Sequence, residues 1–418
     1  MGKNAEIVVI GAGIVGVCVA AHLQMRGKKT VLVDRERPGA GTSYGNAGLI
    51  QDEAIMPYLF PRSTTELMRY ARNRSIDASY AASALPGLTK PFAHYWHNSQ
   101  PDRALAIAHD RAPLIRRSVA DHVDLAEKAG ASQLLRSIGW TKVFRTPQRL
   151  EQGLIEAERQ LADFGVSFIP MDADALADHE PCLSHPLLGG LHWPTPLSVS
   201  DPYALTMAYL DLFKNEGGVF LKGDGETLEK NGLNSWSIST ERGVLQVREA
   251  VLCLGPWSPV IYKTLGYSFP FFVMRGYHQH FTIRDGGQLS HPILDGDSGY
   301  FLAPMRQGVR LTTGAEFARR DALPRPVQLE RALPKARELF PYLGEAIEPE
   351  PWLGARPCMP DMLPIIGPAP RHTGLWFAFG HAHHGLTMAA TTGKLIADMV
   401  TGADPIVDPA PYSAQRFA

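Results

Sequence analysis

Cysteine is scarce in this chain: four in 418 residues, Cys18, Cys182, Cys253 and Cys358, none in a CxxC spacing. That excludes a disulfide framework and a cysteine-rich zinc site, and it points to a reducing compartment. A surplus of charge is also missing. Lys and Arg number 41 against 42 Asp and Glu, a formal net charge of −1, which argues against a nucleic-acid partner because phosphate contacts need excess cations. No apolar stretch reaches the roughly 20 residues of a bilayer span. The nearest, residues 7–21, is interrupted by Gly11, Gly13 and Gly16, where a signal-peptide core favours leucine. With 45% hydrophobic and 20% charged residues, disordered, collagen-like and coiled-coil chains are excluded as well.

What is abundant is punctuation. The 39 glycines and 33 prolines exceed average usage without reaching the level of low-complexity disorder, so many turns are expected inside a folded chain. The length predicts two domains. Residues 5–10 form an apolar run suited to a strand covered on both faces. A glycine turn, a helical pattern over 15–26 and a second buried strand over 30–33 complete a βαβ unit. Prolines at 61, 86, 91 and 101 break an aromatic stretch that precedes a polar helical segment, 104–128, read as an inserted element. Helical spacing returns at 149–164, a short strand is expected at 166–169, and Asp201-Pro202 reads as the cap and first position of a helix over 203–214. Apolar strands are expected at 249–254 and 375–379, alternating antiparallel strands between 269 and 316, and helices over 327–339 and 386–400.

The most informative motif is Gly11-Ala12-Gly13-Ile14-Val15-Gly16, between a strand and a helix. Its glycines provide a tight turn, close approach to a diphosphate and close helix packing, and the helix N-terminus offers unpaired amides and a positive dipole end. Asp34, with Arg35 after it, ends the second strand about 20 residues on from Gly13, where a carboxylate accepts the ribose hydroxyls of an adenosine and disfavours a 2′-phosphate. Small polar residues follow at Thr42, Ser43, Asn46, Ala47, Gly48 and Leu49, along a path from the phosphates toward a flavin. Gly380, His381, Gly385, Leu386 and Thr387 lie in a turn between a late strand and helix, able to aim amides at the flavin N1 and C2 carbonyl. Thr227, Gly255 and Trp257 complete the candidate cofactor set.

These pieces, with Arg275-Gly276-Tyr277 and Arg356-Pro357-Cys358-Met359-Pro360-Asp361, resemble the superfamily of FAD-dependent amine oxidoreductases that includes glycine oxidase, sarcosine oxidase and D-amino-acid dehydrogenase, the last being nearest in spacing. The resemblance covers most of the chain. It implies an α/β fold: a Rossmann-like FAD-binding domain from discontinuous segments, here residues 1–60, 150–265 and 355–418, and an α+β substrate domain with an antiparallel sheet from 61–149 and 266–354. It implies non-covalent FAD and a substrate carboxylate gripped by Arg356, whose guanidinium can make two parallel hydrogen bonds. Tyr277, His278, Tyr300, Arg310 and His384 are further candidates for the substrate pocket, each with sheet packing or a surface position as the competing reading. Some sarcosine oxidases tether their flavin through a cysteine, yet Cys358 is read as packed. The histidines at 381, 383 and 384 lack a flanking carboxylate or cysteine ligand, so no metal is expected.

The reaction implied is hydride loss from the α-carbon of a D-amino acid, giving an imine and then a 2-oxo acid and ammonia. The alternatives are oxidation of a cyclic or N-substituted amino acid, of hydroxy-D-proline, sarcosine or opine type, and a flavin-binding subunit of a larger complex. Quinone, electron carrier and oxygen all remain open as acceptors. The expected location is cytoplasmic, with peripheral contact to the inner membrane face left open by the aromatic segment around Phe92, Tyr95 and Trp96. The oligomeric state is not indicated.

Overall fold

A computed structural model describes residues 5–184, 186–232 and 235–417. Strand Ile7–Ile10 lies inside an eight-stranded sheet, parallel to Thr30–Asp34 on one side and to Glu249–Leu252 on the other. Val219–Lys230 and Leu375–Phe379 extend the parallel set outward. Burial on both faces explains the unbroken apolar runs: Ile7 and Val9 enter one core, Val8 and Ile10 the other. Helices Ile14–Met25, Pro202–Asn215 and Gly385–Thr401 pack into the first of these cores. Asp201 caps the second helix as expected, its side chain accepting the Ala204 amide at 2.9 Å.

The second sheet has eleven strands built around Phe272–Ile283, which pairs antiparallel with Gly308–Thr312 and Trp352–Cys358. It is antiparallel except where Ala78–Tyr80 meets Ala315–Phe317 and Trp140–Phe144 meets Ile293–Asp295. Helix Val327–Leu339 buries Leu329, Ala332, Ala336 and Leu339 on one face. The opposite face meets the 41–48 segment: the Arg310 guanidinium donates to the carbonyls of Tyr44 and Asn46.

Pairing corrects three boundaries. The strand expected at 166–169 is Ile169–Asp172, and with Gly189–Trp193 it joins the second sheet, although the sequence pattern groups 150–265 with the dinucleotide domain. Strand Trp352–Cys358 likewise lies whole in the second sheet, across the expected boundary at 355. Conversely, the polar stretch within 61–149 folds as two helices, Pro101–Arg116 and Ser118–Lys128, that pack with the dinucleotide half: Asp121 accepts from Thr391 at 2.9 Å, and the His122 Nε2 lies 2.8 Å from the Leu386 carbonyl. Residues 7–21 form a strand, turn and helix. Among the described residues no helix is long and apolar enough to cross a membrane.

Candidate active site

One cleft of about 1270 Å³ runs between the two sheets. It exceeds the roughly 300–1,000 Å³ of ordinary small-ligand pockets, a size suited to a cofactor and a substrate together. At one end the chain turns at Gly11, whose φ of +106° and position 2.6 Å from the Cys253 carbonyl oxygen, measured to where a Cβ would stand, leave room for no side chain. Helix Ile14–Met25 begins there with no cap from Gly13 itself, and Gly13, Ile14 and Val15 line the cleft at its positive end. Asp34 accepts the Ala12 amide at 2.6 Å and the Glu36 amide at 2.9 Å, which fixes its carboxylate at the cleft wall. Ser43 Oγ accepts the Ile14 amide at 2.8 Å, and the Thr42 hydroxyl donates to the Ala355 carbonyl at 2.8 Å. The 41–48 segment thereby links the helix start to the strand that carries Arg356. A helix N-terminus at the cleft, a side-chain-free turn and an oriented carboxylate fit the diphosphate and ribose of FAD.

Of the expected cofactor residues, Gly11, Gly13, Ile14, Val15, Asp34, Thr42, Ser43, Asn46, Ala47 and Leu49 line this cleft, as do Gly255, Trp257, His381, Gly385 and Leu386. Arg35 lines it too, but its guanidinium is taken by Asp224 at 3.0 Å and Glu226 at 2.5 Å. Five others stand behind the wall. Gly16 packs on the Gly11 carbonyl, and the Gly48 amide is held by Asn46 Oδ1 at 2.8 Å. Gly380 turns against Met359. The Thr387 hydroxyl bridges the Leu49 carbonyl and the Gln51 amide, both at 3.3 Å. Thr227 donates to the Asp224 carbonyl at 2.6 Å, closing an irregularity in its strand and leaving Gly225 and Glu226 as the lining residues.

At the far end lies Arg356. It pairs across the strand with Met274, and its guanidinium lies over Gly276, where any Cβ would stand 2.5 Å from Nη1. It donates to the carbonyls of Gly314 at 3.1 Å and Arg275 at 3.2 Å. Among the described residues no carboxylate pairs with it, and burial pushes its guanidinium below the ordinary range. A half-buried cation held only by neutral carbonyls is a receptor for an anion.

Three expected pocket residues lie elsewhere. Tyr300 is fully buried in the core beneath helix Val327–Leu339. Arg310 is spent on His280 Nε2 at 2.9 Å and on the Tyr44 and Asn46 carbonyls, joining the two halves of the molecule. His278 is covered by the Trp352 ring, 4.8 Å away and stacked, and burial lowers its pKa to about 2. Tyr277 contributes to the wall, but strand alternation turns its ring into the core, where its hydroxyl donates to Glu316 at 3.0 Å and accepts the Arg325 amide at 2.6 Å. Cys358 is buried, with its thiol pushed up to about 12, and does not line the cleft.

Sequence reasoning missed Tyr58, Arg111 and His383. The Tyr58 ring packs on His383, with centroids 4.3 Å apart, and near His384 at 5.8 Å. His384 lines the cleft, with its Nδ1 2.6 Å from Nη2 of the buried Arg111. Burial and the charges of Arg356 and Arg111 hold His383 neutral, and its buried Nδ1 has no partner among the described residues. The signal for Arg111 is its spacing from Ala104, Ala108 and Ile115: an arginine on the buried stripe of a helix.

A family model for FAD-dependent oxidoreductases matches residues 6–399. The chain is 28% identical to the D-amino-acid oxidase of Bradyrhizobium diazoefficiens over the full length of both proteins. It is 27% identical to the D-amino acid dehydrogenase of Chromohalobacter salexigens, covering 99% of this chain and all of that one. Glycine oxidase from Geobacillus kaustophilus shares the fold, with a TM-score of 0.77 over 99% of each chain at 20% identity. A glycine turn, helix end and carboxylate shaped for a dinucleotide, in a chain matched along nearly its whole length, place this protein in the family of FAD-dependent oxidoreductases.

Proposed function

We propose that the protein oxidises a D-amino acid at its α-carbon, and the observation that carries this reading is the unpaired guanidinium of Arg356 in a cleft suited to FAD. FAD, when bound, supplies the hydride acceptor, flavin N5. The chain supplies position. Arg356 holds the substrate carboxylate in a fixed orientation, which removes most of the rotational freedom of a molecule this small. Two guanidiniums, the half-buried Arg356 and the buried Arg111, disfavour an ammonium beside them and so favour the neutral amine, whose nitrogen lone pair must be free when the hydride leaves the α-carbon. Loss of the hydride leaves an iminium, which sheds a proton to water to become the imine, and water hydrolyses it to a 2-oxo acid and ammonia.

The names of the relatives support the D-amino acid class and divide between oxidase and dehydrogenase. The test is anaerobic bleaching of the yellow holoprotein by a panel of D-amino acids, N-methyl amino acids and hydroxyprolines. Reoxidation by oxygen or by a soluble quinone then identifies the acceptor. Bleaching by D-amino acids supports the reading, and a bound flavin that none of the panel reduces contradicts it.

A further inference from the structure

On that reading of the reaction, we infer that the amino acid taken by this cleft carries a bulky apolar side chain, aromatic or branched aliphatic. Gly314, whose carbonyl receives Arg356, runs directly into strand Ala315–Phe317, and alternation there sends Glu316 into the interior while Ala315 and Phe317 face the cleft. Phe317 meets the edge of Phe92 at 5.0 Å, and Phe92 meets Phe60 at 5.3 Å. Met274, opposite Arg356, and the half-exposed Tyr58 also line this part of the cleft. The segment that carries Phe92 and Tyr95 is thus a wall of the site: Tyr95 is buried, and Trp96 lies outside beneath Arg62. An aromatic shelf begins at Phe317, three residues after the glycine whose carbonyl holds the carboxylate anchor.

The carboxylates on this wall are each paired with an arginine, although Asp77 Oδ1 is itself buried without a partner among the described residues. Tyr95 donates to the Tyr58 carbonyl at 3.0 Å. Asp77 is engaged by Arg69 and by the Tyr70 hydroxyl, each at 2.7 Å. Asp321 is paired with Arg320 at 2.8 Å, while Asp34, Glu36 and Glu226 belong to the dinucleotide end of the cleft. A side chain bearing charge of either sign therefore loses its hydration without gaining a partner, whereas an aromatic ring or branched chain replaces water against Phe317, Phe92 and Phe60.

The experiment measures the second-order constant for anaerobic flavin bleaching by D-phenylalanine, D-leucine, D-alanine, glycine, D-aspartate and D-lysine. D-Phenylalanine or D-leucine should exceed each of the other four by tenfold or more, the scale on which pockets discriminate whole methylenes. In Phe92→Ala the ratio of D-phenylalanine to D-alanine should fall at least tenfold, and if that variant does not fold the wild-type panel alone decides. A maximum at D-alanine, glycine, D-aspartate or D-lysine overturns the inference and leaves the proposed reaction standing. Bleaching by none of the six, where other amino acids do bleach, overturns it as well. Failure of every amino acid overturns the proposed reaction and the inference together.

Discussion

Nη2 of Arg111 lies 2.6 Å from Nδ1 of His384, with no carboxylate pairing either side chain among the described residues. An arginine only donates, so Nδ1 is the acceptor and the ring proton sits on Nε2. Burial pushes the guanidinium down to about 10 and holds His384 neutral, so the pair keeps one protonation state across the physiological range. Arg111 also donates to the Met56 carbonyl at 3.0 Å, tying down the segment that carries Tyr58.

Arg111→Met should therefore loosen residues 55–60. Its carbonyl and imidazole partners lose their donor, partly offset by the removal of a buried charge, for a net destabilisation of about 2 kcal/mol. Urea unfolding of the holoprotein gives the magnitude, and limited proteolysis should place new cuts near Tyr58. Unchanged stability with an unchanged digestion pattern contradicts this role.

The glycines of the first turn should differ sharply. A Cβ at Gly16 would stand 1.8 Å from the Gly11 carbonyl oxygen, a backbone atom that cannot move without breaking the turn. At Gly13 the nearest atom is the Ser43 hydroxyl at 3.2 Å, which can rotate away. Gly16→Ala should yield insoluble or colourless protein, whereas Gly13→Ala should fold, with weakened flavin retention. Absorbance at the flavin band per mole of purified chain measures both.

Glu53 predicts a pH dependence. It accepts from Trp140 at 2.7 Å and Gln51 at 2.8 Å, but its other oxygen is buried without a partner among the described residues, and burial raises its pKa to about 7. The folded state thus holds the proton more tightly than the unfolded chain. Stability from this group is complete below about pH 4.5 and is lost as pH rises through about 7, by about 3 kcal/mol at most. Glu53→Gln should flatten the fall in unfolding free energy between pH 5 and 8. An identical slope in the variant rules out Glu53 as its source.

The dinucleotide half was largely legible in the sequence. Strands Ile7–Ile10 and Thr30–Asp34, buried on both faces, carry a local signal in their unbroken apolar runs, and the glycine turn is fixed by sterics within a few residues. The second sheet was less so. Strand Ile169–Asp172 contains Pro170 and is mostly exposed, so neither apolar pattern nor propensity marks it, and its place is set by pairing with Gly189–Trp193. Alternation along Phe272–Ile283 was readable, but which face met the cleft was not. That choice depends on partners remote in sequence: the core under helix Val327–Leu339 takes the Tyr277 ring, while His278, on the opposite face, is covered by Trp352. Tyr58 and His383 meet through tertiary contact alone, with no spacing to announce them.

The central claim, that Arg356 holds a carboxylate, is tested most directly by comparing the D-amino acid that bleaches the flavin fastest with its own amide. Loss of a charged hydrogen-bonded pair at a buried site costs several kcal/mol, so the acid should react at least a hundredfold faster than the amide in the wild type. In Arg356→Ala that preference should shrink to within a few-fold, with the flavin still bound. Equal bleaching by acid and amide in the wild type, or a preference that survives in Arg356→Ala, would contradict the account.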